Sequence, residues 1–248
     1  MDSNTKSLMP FIVGGIAVMG WFAIGGSQAP LGGTPDPVAP SWAAIAAWPS
    51  FEPEVVEAMP DPNRRVTAIV LDDSGSMGAD MDAAKRAVVD ALGAMAPEDR
   101  VAVIALNDGT VLPFTRVADA REPLVDALAG VQSNGSTPLT RAVRQAESLL
   151  EAEAGAARGF GTFRLIVTTD GAANEPESLE NAIEGIARDT PIQITTIGIA
   201  IEGGHVLRRS DLGSFVDVAD VDALRGALEA AVAENASFDA ITDFEGEG

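Results

Sequence analysis

Cysteine is absent from the 248 residues and histidine occurs once. No cysteine means no disulfide, no thiol nucleophile and no iron–sulfur cluster, and a single histidine removes nearly every zinc site as well. Any metal centre must then be built from oxygen, which selects hard ions: magnesium, calcium or manganese. Basic residues are also scarce. Sixteen Lys and Arg stand against 37 Asp and Glu, for a formal net charge of -21 and a pI of about 4.2. Such a surface repels nucleic-acid phosphate and anionic headgroups, which argues against a nucleic-acid partner and for cations or proteins with a basic patch. A phosphate loop of the form G-x-x-x-x-G-K-[ST] is missing too.

What is present begins with an uncharged run, "LMPFIVGGIAVMGWFAIGG", residues 8–26. As a helix it spans about 28 Å, close to the roughly 30 Å of a bilayer's hydrocarbon core. Pro10 falls in the first turn, and Trp21 and Phe22 lie near the far interface. The competing reading is a cleaved signal peptide, with Ser27 and Ala29 at suitable spacing. Against it stand Pro30 after the cut and a thin charged leader, Lys6 offset by Asp2. The expectation is an uncleaved transmembrane helix. Lys6 keeps residues 1–7 in the cytoplasm, and with no further Lys or Arg before Arg64 the rest lies outside, periplasmic in a bacterium.

Residues 27–62 are rich in Pro, Gly and Ala and read as a linker. Within it "SWAAIAAWPSF" places Trp42, Ile45 and Trp48 at helical spacing. That short helix lies on the membrane or a partner, or packs on its own domain, the plainer reading. From residue 63 to 235 the pattern is that of one domain. Apolar runs at 66–71, 101–106, 111–114, 163–168, 192–199 and 215–218 alternate with helical periodicity at 81–95, 122–128, 139–153, 178–189 and 221–234. Near-continuous apolar strands imply burial on both faces, hence an α/β three-layer sandwich around a mostly parallel sheet. The turn signal "LNDGT" makes 111–114 the one antiparallel edge strand. Residues 236–248 form an acidic tail carrying Phe238, Ile241 and Phe244, read as a solvated tail or, less simply, a docking peptide.

In open α/β sheets ligands sit beyond the carboxyl ends of the strands. Three oxygen-rich loops meet that description: "LDDSGSMG" at 71–78, "SNGSTPLT" around Thr137, and "TTDGAAN" with Asp170. Taken singly each has a plainer role. Ser76 or Asp80 can cap the next helix, Ser136 and Thr137 the one with Pro138 at its first position. Asn174 can satisfy loop backbone groups.

Together, Asp72-x-Ser74-x-Ser76, then Thr137 before Pro-Leu, then Asp170-Gly resembles the von Willebrand factor type A domain of the membrane-anchored bacterial type. The resemblance implies a metal-ion-dependent adhesion site in which Asp72, Ser74, Ser76, Thr137 and Asp170 hold the ion, directly or through water, and a partner's Asp or Glu completes its shell. Ser74 and Ser76 alternate with Asp72 along an extended stretch, so their side chains project to one side and Asp73 points elsewhere. Leu106 stands where the family often has phenylalanine, a change of packing. His205, in a Gly-rich loop, reads as a surface residue, and Arg208 and Arg209 as a basic spot without assigned use.

Enzyme readings find little support. "SGSMG" lacks the first glycine of a G-x-S-x-G elbow, and a Ser76–His205–Asp170 triad has no motif behind it. The sequence therefore points to a non-enzymatic, divalent-cation-dependent protein-binding module at the membrane. The alternative is a structural or assembly subunit of a membrane complex in which the ion only braces the loops.

Overall fold

The computed structural model describes residues 37–50, 61–201 and 203–233. The expected transmembrane helix, much of the linker and the acidic tail lie outside them. Among the described residues no helix is long and apolar enough to cross a membrane.

Six strands form one sheet: β1 (Arg65–Leu71), β2 (Arg100–Ala105), β3 (Gly109–Arg116), β4 (Thr162–Thr169), β5 (Gln193–Ile199) and β6 (Ser214–Val218). Their order is β3-β2-β1-β4-β5-β6, parallel throughout except the antiparallel β2–β3 edge pair. The strands expected from apolar runs all form. β3 is longer than expected because ladder bonds to β2 carry it past the apolar stretch to Arg116.

The helices are α1 (Trp42–Ala47), α2 (Met81–Ala91), α3 (Val117–Leu128), α4 (Leu139–Ala156), α5 (Pro176–Asp189) and α6 (Val221–Ala233). On β1, Ile69 and Leu71 face a core shared with α2, α3 and α6. Val66, Ala68 and Val70 face a second core shared with α4 and α5. This is the period-two alternation of a strand whose two faces are both covered, which is why its sequence reads as continuously apolar.

Two helices depart from expectation. α2 ends at Ala91, and residues 92–94 tighten into a 3-10 turn containing Gly93, a poor helix former. α3 starts five residues earlier than expected. The Val117 and Ala118 amides donate to the Asp99 and Pro97 carbonyls, so the first turn is supplied with partners and Pro123 is absorbed inside the helix.

Part of the segment read as linker lies against the domain. The Val38 amide donates to Asp211 Oδ2 (3.0 Å), the Ser41 amide to the Arg188 carbonyl (2.7 Å), and the Ser50 amide to Glu151 Oε1 (2.9 Å). Trp48 meets Phe163 edge to face, 4.9 Å between centroids. The plainer reading of α1 holds for Trp48 and for the helix as a whole, while Trp42 remains 76% exposed.

Candidate metal centre

The sheet order places a topological switch at β1. The chain leaves β1 for β2 on one side and returns to β4 on the other. Side chains following β1 and β4 therefore converge over the crevice between these strands, where Val70 pairs with Val167. Asp72 follows β1 and Asp170 follows β4.

Asp72, Ser74, Ser76 and Asp170 are linked by direct bonds. Ser74 Oγ and Ser76 Oγ are 3.0 Å apart, and Ser76 Oγ donates to Asp170 Oδ1 at 2.8 Å. Asp72 Oδ1 accepts from the Ser74 amide at 2.9 Å. Its Oδ2 accepts from Thr169 Oγ1 at 2.9 Å and from the Asp170 amide at 3.3 Å. Asp72 and Ser74 are buried, Asp170 is half-buried and Ser76 is exposed, so the cluster opens to solvent on the Ser76 side.

Thr137 is not joined to this cluster by a side-chain hydrogen bond; its backbone is held by Asn174. Its amide donates to Asn174 Oδ1 and its carbonyl accepts from the Asn174 amide, each at 3.1 Å. Asn174 Nδ2 also donates to Ser136 Oγ at 2.8 Å. The loop before α4 is thus clamped to the loop after β4, four residues beyond Asp170. Asn174 fills the backbone-satisfying role read from sequence. The capping roles do not appear: Pro138 occupies the cap position of α4 rather than its first turn, and neither it nor Asp80 makes a side-chain cap bond. The Leu139 amide is instead met by the Thr137 carbonyl at 2.9 Å.

Asp73 turns away from the cluster, as its alternate position on the strand requires. Its Oδ1 accepts from the Asn107 amide (2.8 Å) and Asn107 Nδ2 (2.9 Å), and its Oδ2 from the Asp108 amide (3.3 Å). Asn107 Nδ2 also donates to the carbonyls of Asn134 and Ser136. Ser133 Oγ donates to the Ser74 carbonyl at 2.7 Å and accepts from the Gly78 amide at 2.9 Å. Gly135, at φ +70°, sits so close to Asn107 that a Cβ there would lie 2.7 Å from Asn107 Oδ1. These supporting residues were not singled out in the sequence. The turn signal "LNDG" and the two threonines before Asp170 carried the available hint, since a polar pair at the buried end of an apolar strand needs partners.

The donor set suits a hard cation. Around magnesium with oxygens at about 2.1 Å, neighbouring vertices stand about 3.0 Å apart, the edge of an octahedron. The Ser74–Ser76 and Ser76–Asp170 oxygen separations, 3.0 and 2.8 Å, already have that spacing. Burial pushes the Asp72 carboxyl above its ordinary value of 3.8, against the pull of the Ser74 donors, with the Asp170 charge adding to the rise and Thr169 opposing it. A divalent charge at this place reverses both penalties. Among the described residues no three Asp, Glu, His or Cys side chains gather around one point; the candidate site offers the carboxylates of Asp72 and Asp170 beside the hydroxyls of Ser74 and Ser76.

His205 differs from its sequence reading. It is half-buried, its Nδ1 accepts from the Leu207 amide at 3.2 Å, and its ring lies 6.3 Å from that of Phe215. Burial holds its imidazole below the ordinary 6.5, opposed by the Gly171 backbone and aided by Arg208. The two arginines beside it are structural. Arg208 pairs with Asp217 and stacks on Phe215, and Arg209 gathers Glu180, Glu184 and Asp211.

With the switch-point site in view, comparison with known proteins is decisive for the fold. Residues 67–172 match the von Willebrand factor type A domain family. Over that stretch, less than half of the chain, the sequence is similar to this family. The domain is similar in fold to a von Willebrand factor type A protein from Catenulispora acidiphila, at 22% identity and TM-score 0.58, over 72% of this chain and 46% of that one. It also resembles the open form of the pilus adhesin SpaC from Lactobacillus rhamnosus GG (13% identity, TM-score 0.56, 73% of this chain and 30% of that). A third likeness is to proximal thread matrix protein 1 of the mussel byssus, solved with zinc in its MIDAS motif (15% identity, TM-score 0.58, 70% and 48%). This chain spans less than half the length of each. No curated protein sequence matches it.

Proposed function

We propose that the domain belongs to the von Willebrand factor type A family and is a non-enzymatic, divalent-cation-dependent protein-binding module, held at a membrane by residues 8–26 with the domain on the outer, periplasmic side. The observation that carries this is the chain of oxygens from Ser74 through Ser76 to Asp170, at octahedral-edge spacing and open to solvent at Ser76. Asp72, Ser74, Ser76, Thr137 and Asp170 would hold the ion; magnesium is the expected species, manganese or calcium an alternative. When bound, a hard cation supplies a Lewis-acidic position that takes a carboxylate oxygen from a partner's Asp or Glu.

The chain's own residues set the conditions. Asp72 is oriented by the Ser74, Thr169 and Asp170 donors, so its charge is fixed at the crevice. Two carboxylates balance a divalent charge and the hydroxyls add none, which leaves the position electrophilic. The relative with zinc in its own motif supports an ion at this place in the fold.

The reading in which an ion merely braces the loops is the weaker one. Asp73 with Asn107, Ser133 with Ser74, and Asn174 with Thr137 already tie the three loops together. Bracing is therefore supplied by protein groups.

The test uses the full chain in detergent. Manganese binding is measured by electron paramagnetic resonance for the wild type, Thr137→Ala and Asp170→Ala, with circular dichroism as a fold check. The expected result is saturable binding of one ion, weakened at least about tenfold in each folded variant. Affinities unchanged in both variants would overturn the assignment. Recovery of a bound protein partner that persists in chelator would overturn the proposed binding mode while leaving the ion site intact.

A further inference from the structure

We propose that the groove between α2 and α3 is a docking site for the chain's own residues 234–248, the acidic tail with the two residues before it. This goes beyond the metal-dependent reading and does not need the ion.

The groove has a volume of about 660 Å³. Val89, Val125 and Leu128 give it an apolar floor, and Val125 is 48% exposed, one of few large apolar side chains left in solvent. Three of the chain's sixteen basic residues, Lys85, Arg86 and Arg121, line it. Lys85 is partly engaged by the Val131 carbonyl and by Asp82 at 3.8 Å. Arg86 is exposed. Arg121 is 63% exposed and donates to the Val89 carbonyl, with Asp90 at 3.7 Å. Asp82 and Asp90 are the groove's acids, so it carries a net formal charge of +1 from three cations and two acids, in a chain of -21. An ion pair as long and solvated as Arg121–Asp90 holds weakly and yields to a better placed carboxylate.

The tail complements this surface in both respects. "ENASFDAITDFEGEG" has five acids, Glu234, Asp239, Asp243, Glu245 and Glu247, and no basic residue. Phe238, Ile241 and Phe244 recur among them every three residues, a spacing that offers three apolar anchors at regular intervals.

Reach is also satisfied. Arg65 Nη1 donates to the Val232 carbonyl at the end of α6, Arg65 Nη2 pairs with Asp99 at 2.7 Å, and the Asp99 carbonyl accepts from Val117 at the start of α3. α6 therefore finishes at the end of the domain where α3 begins, and Arg121 lies one turn along α3. From Asp90 to Asp82 the groove runs about 12 Å along α2. Fifteen extended residues reach up to about 50 Å, several times the length of the groove.

The absence of cysteine makes the test direct. In the full chain in detergent with chelator present, Val125→Cys is combined with Ala240→Cys and treated with a short bismaleimide. A control pairs Ala240→Cys with Ser148→Cys, which is exposed on α4 across the sheet. A docked tail raises the local concentration at position 125, so cross-linking there should run about tenfold faster than in the control, at a rate independent of dilution. Adding R86E and R121E, both at the surface, should bring the rate down to that of the control. Equal rates at positions 125 and 148 would overturn the proposal. So would a rate untouched by the charge reversals, or cross-links that form only between chains. Manganese binding followed in the same variants separates failure of this proposal from failure of the metal site.

Discussion

Asp72 and Asp73 are adjacent, buried and acidic, yet they turn to different partners, and Asp73→Ala tests the division of roles proposed for them. Asp73 holds the Asn107 amide, the Asn107 side chain and, at longer range, the Asp108 amide. Asn107 Nδ2 keeps two carbonyl partners when Asp73 is lost, so the principal orphan is the Asn107 amide. Hydrogen bonds to a charged group contribute about 1.5–3 kcal/mol each, and an unsatisfied donor costs about 1–3 kcal/mol. Opposing this, burial pushes the Asp73 carboxyl above its ordinary value, so removing the charge returns part of the loss. The expected net destabilisation is about 2–4 kcal/mol, or roughly 5–15 °C in Tm for a domain of this size. Urea unfolding followed by tryptophan fluorescence measures it. Asp73→Asn keeps one acceptor and should lose about half as much. Manganese affinity per folded molecule should change little in either variant. Stability within about 0.5 kcal/mol of wild type in Asp73→Ala, or loss of ion binding at undiminished stability, would refute the assignment of Asp73 to the loops and Asp72 to the site.

Three further outcomes are expected. Gly135→Ala combines a positive φ with a Cβ 2.7 Å from Asn107 Oδ1, so it should cost about 1–3 kcal/mol in urea unfolding and weaken manganese binding through the displaced loop. Asp211 is held at about 2, below its ordinary 3.8, by the Arg209 hydrogen bond first and the Val38 amide second. A depressed carboxylate stabilises fully above its unfolded value and loses that contribution as pH falls through the folded one, so the gap in urea midpoint between wild type and Asp211→Asn should be constant above pH 4 and close toward pH 2. Trp48→Ala removes the edge-to-face contact with Phe163 and should lower stability by about 2–4 kcal/mol, whereas Trp42→Ala, at an exposed position, should change it by less than about 0.5 kcal/mol.

Much of the fold was legible because burial on two faces leaves a plain mark. The apolar runs at 66–71 and 163–168 became β1 and β4, since strands covered on both sides have no solvent face to fill with polar residues. Boundaries set by partners far along the chain were not legible. α3 begins at Val117 because Asp99 and Pro97 receive its first amides, and no local pattern announces them. The same holds for residues 37–50, whose Pro- and Ala-rich composition reads as linker but whose Val38, Ser41 and Trp48 find partners on turn, helix and strand residues 211, 188 and 163. His205 looked like a surface residue because a glycine-rich neighbourhood says nothing about what folds over it.

By itself the sequence determined which atoms were on offer: oxygen in place of sulfur or imidazole, two acids and three hydroxyls in three separate loops, and strands apolar enough to need cover on both faces. Those are matters of composition and local period, carried by each segment independently. Only the tertiary structure decided that β1 and β4 lie side by side, so that Ser76 meets Asp170 across 94 positions of chain at 2.8 Å while Asp73, next to Asp72, is turned to Asn107. Such distances depend on strand order and loop closure, which arise from the packing of the whole sheet between its two helical layers.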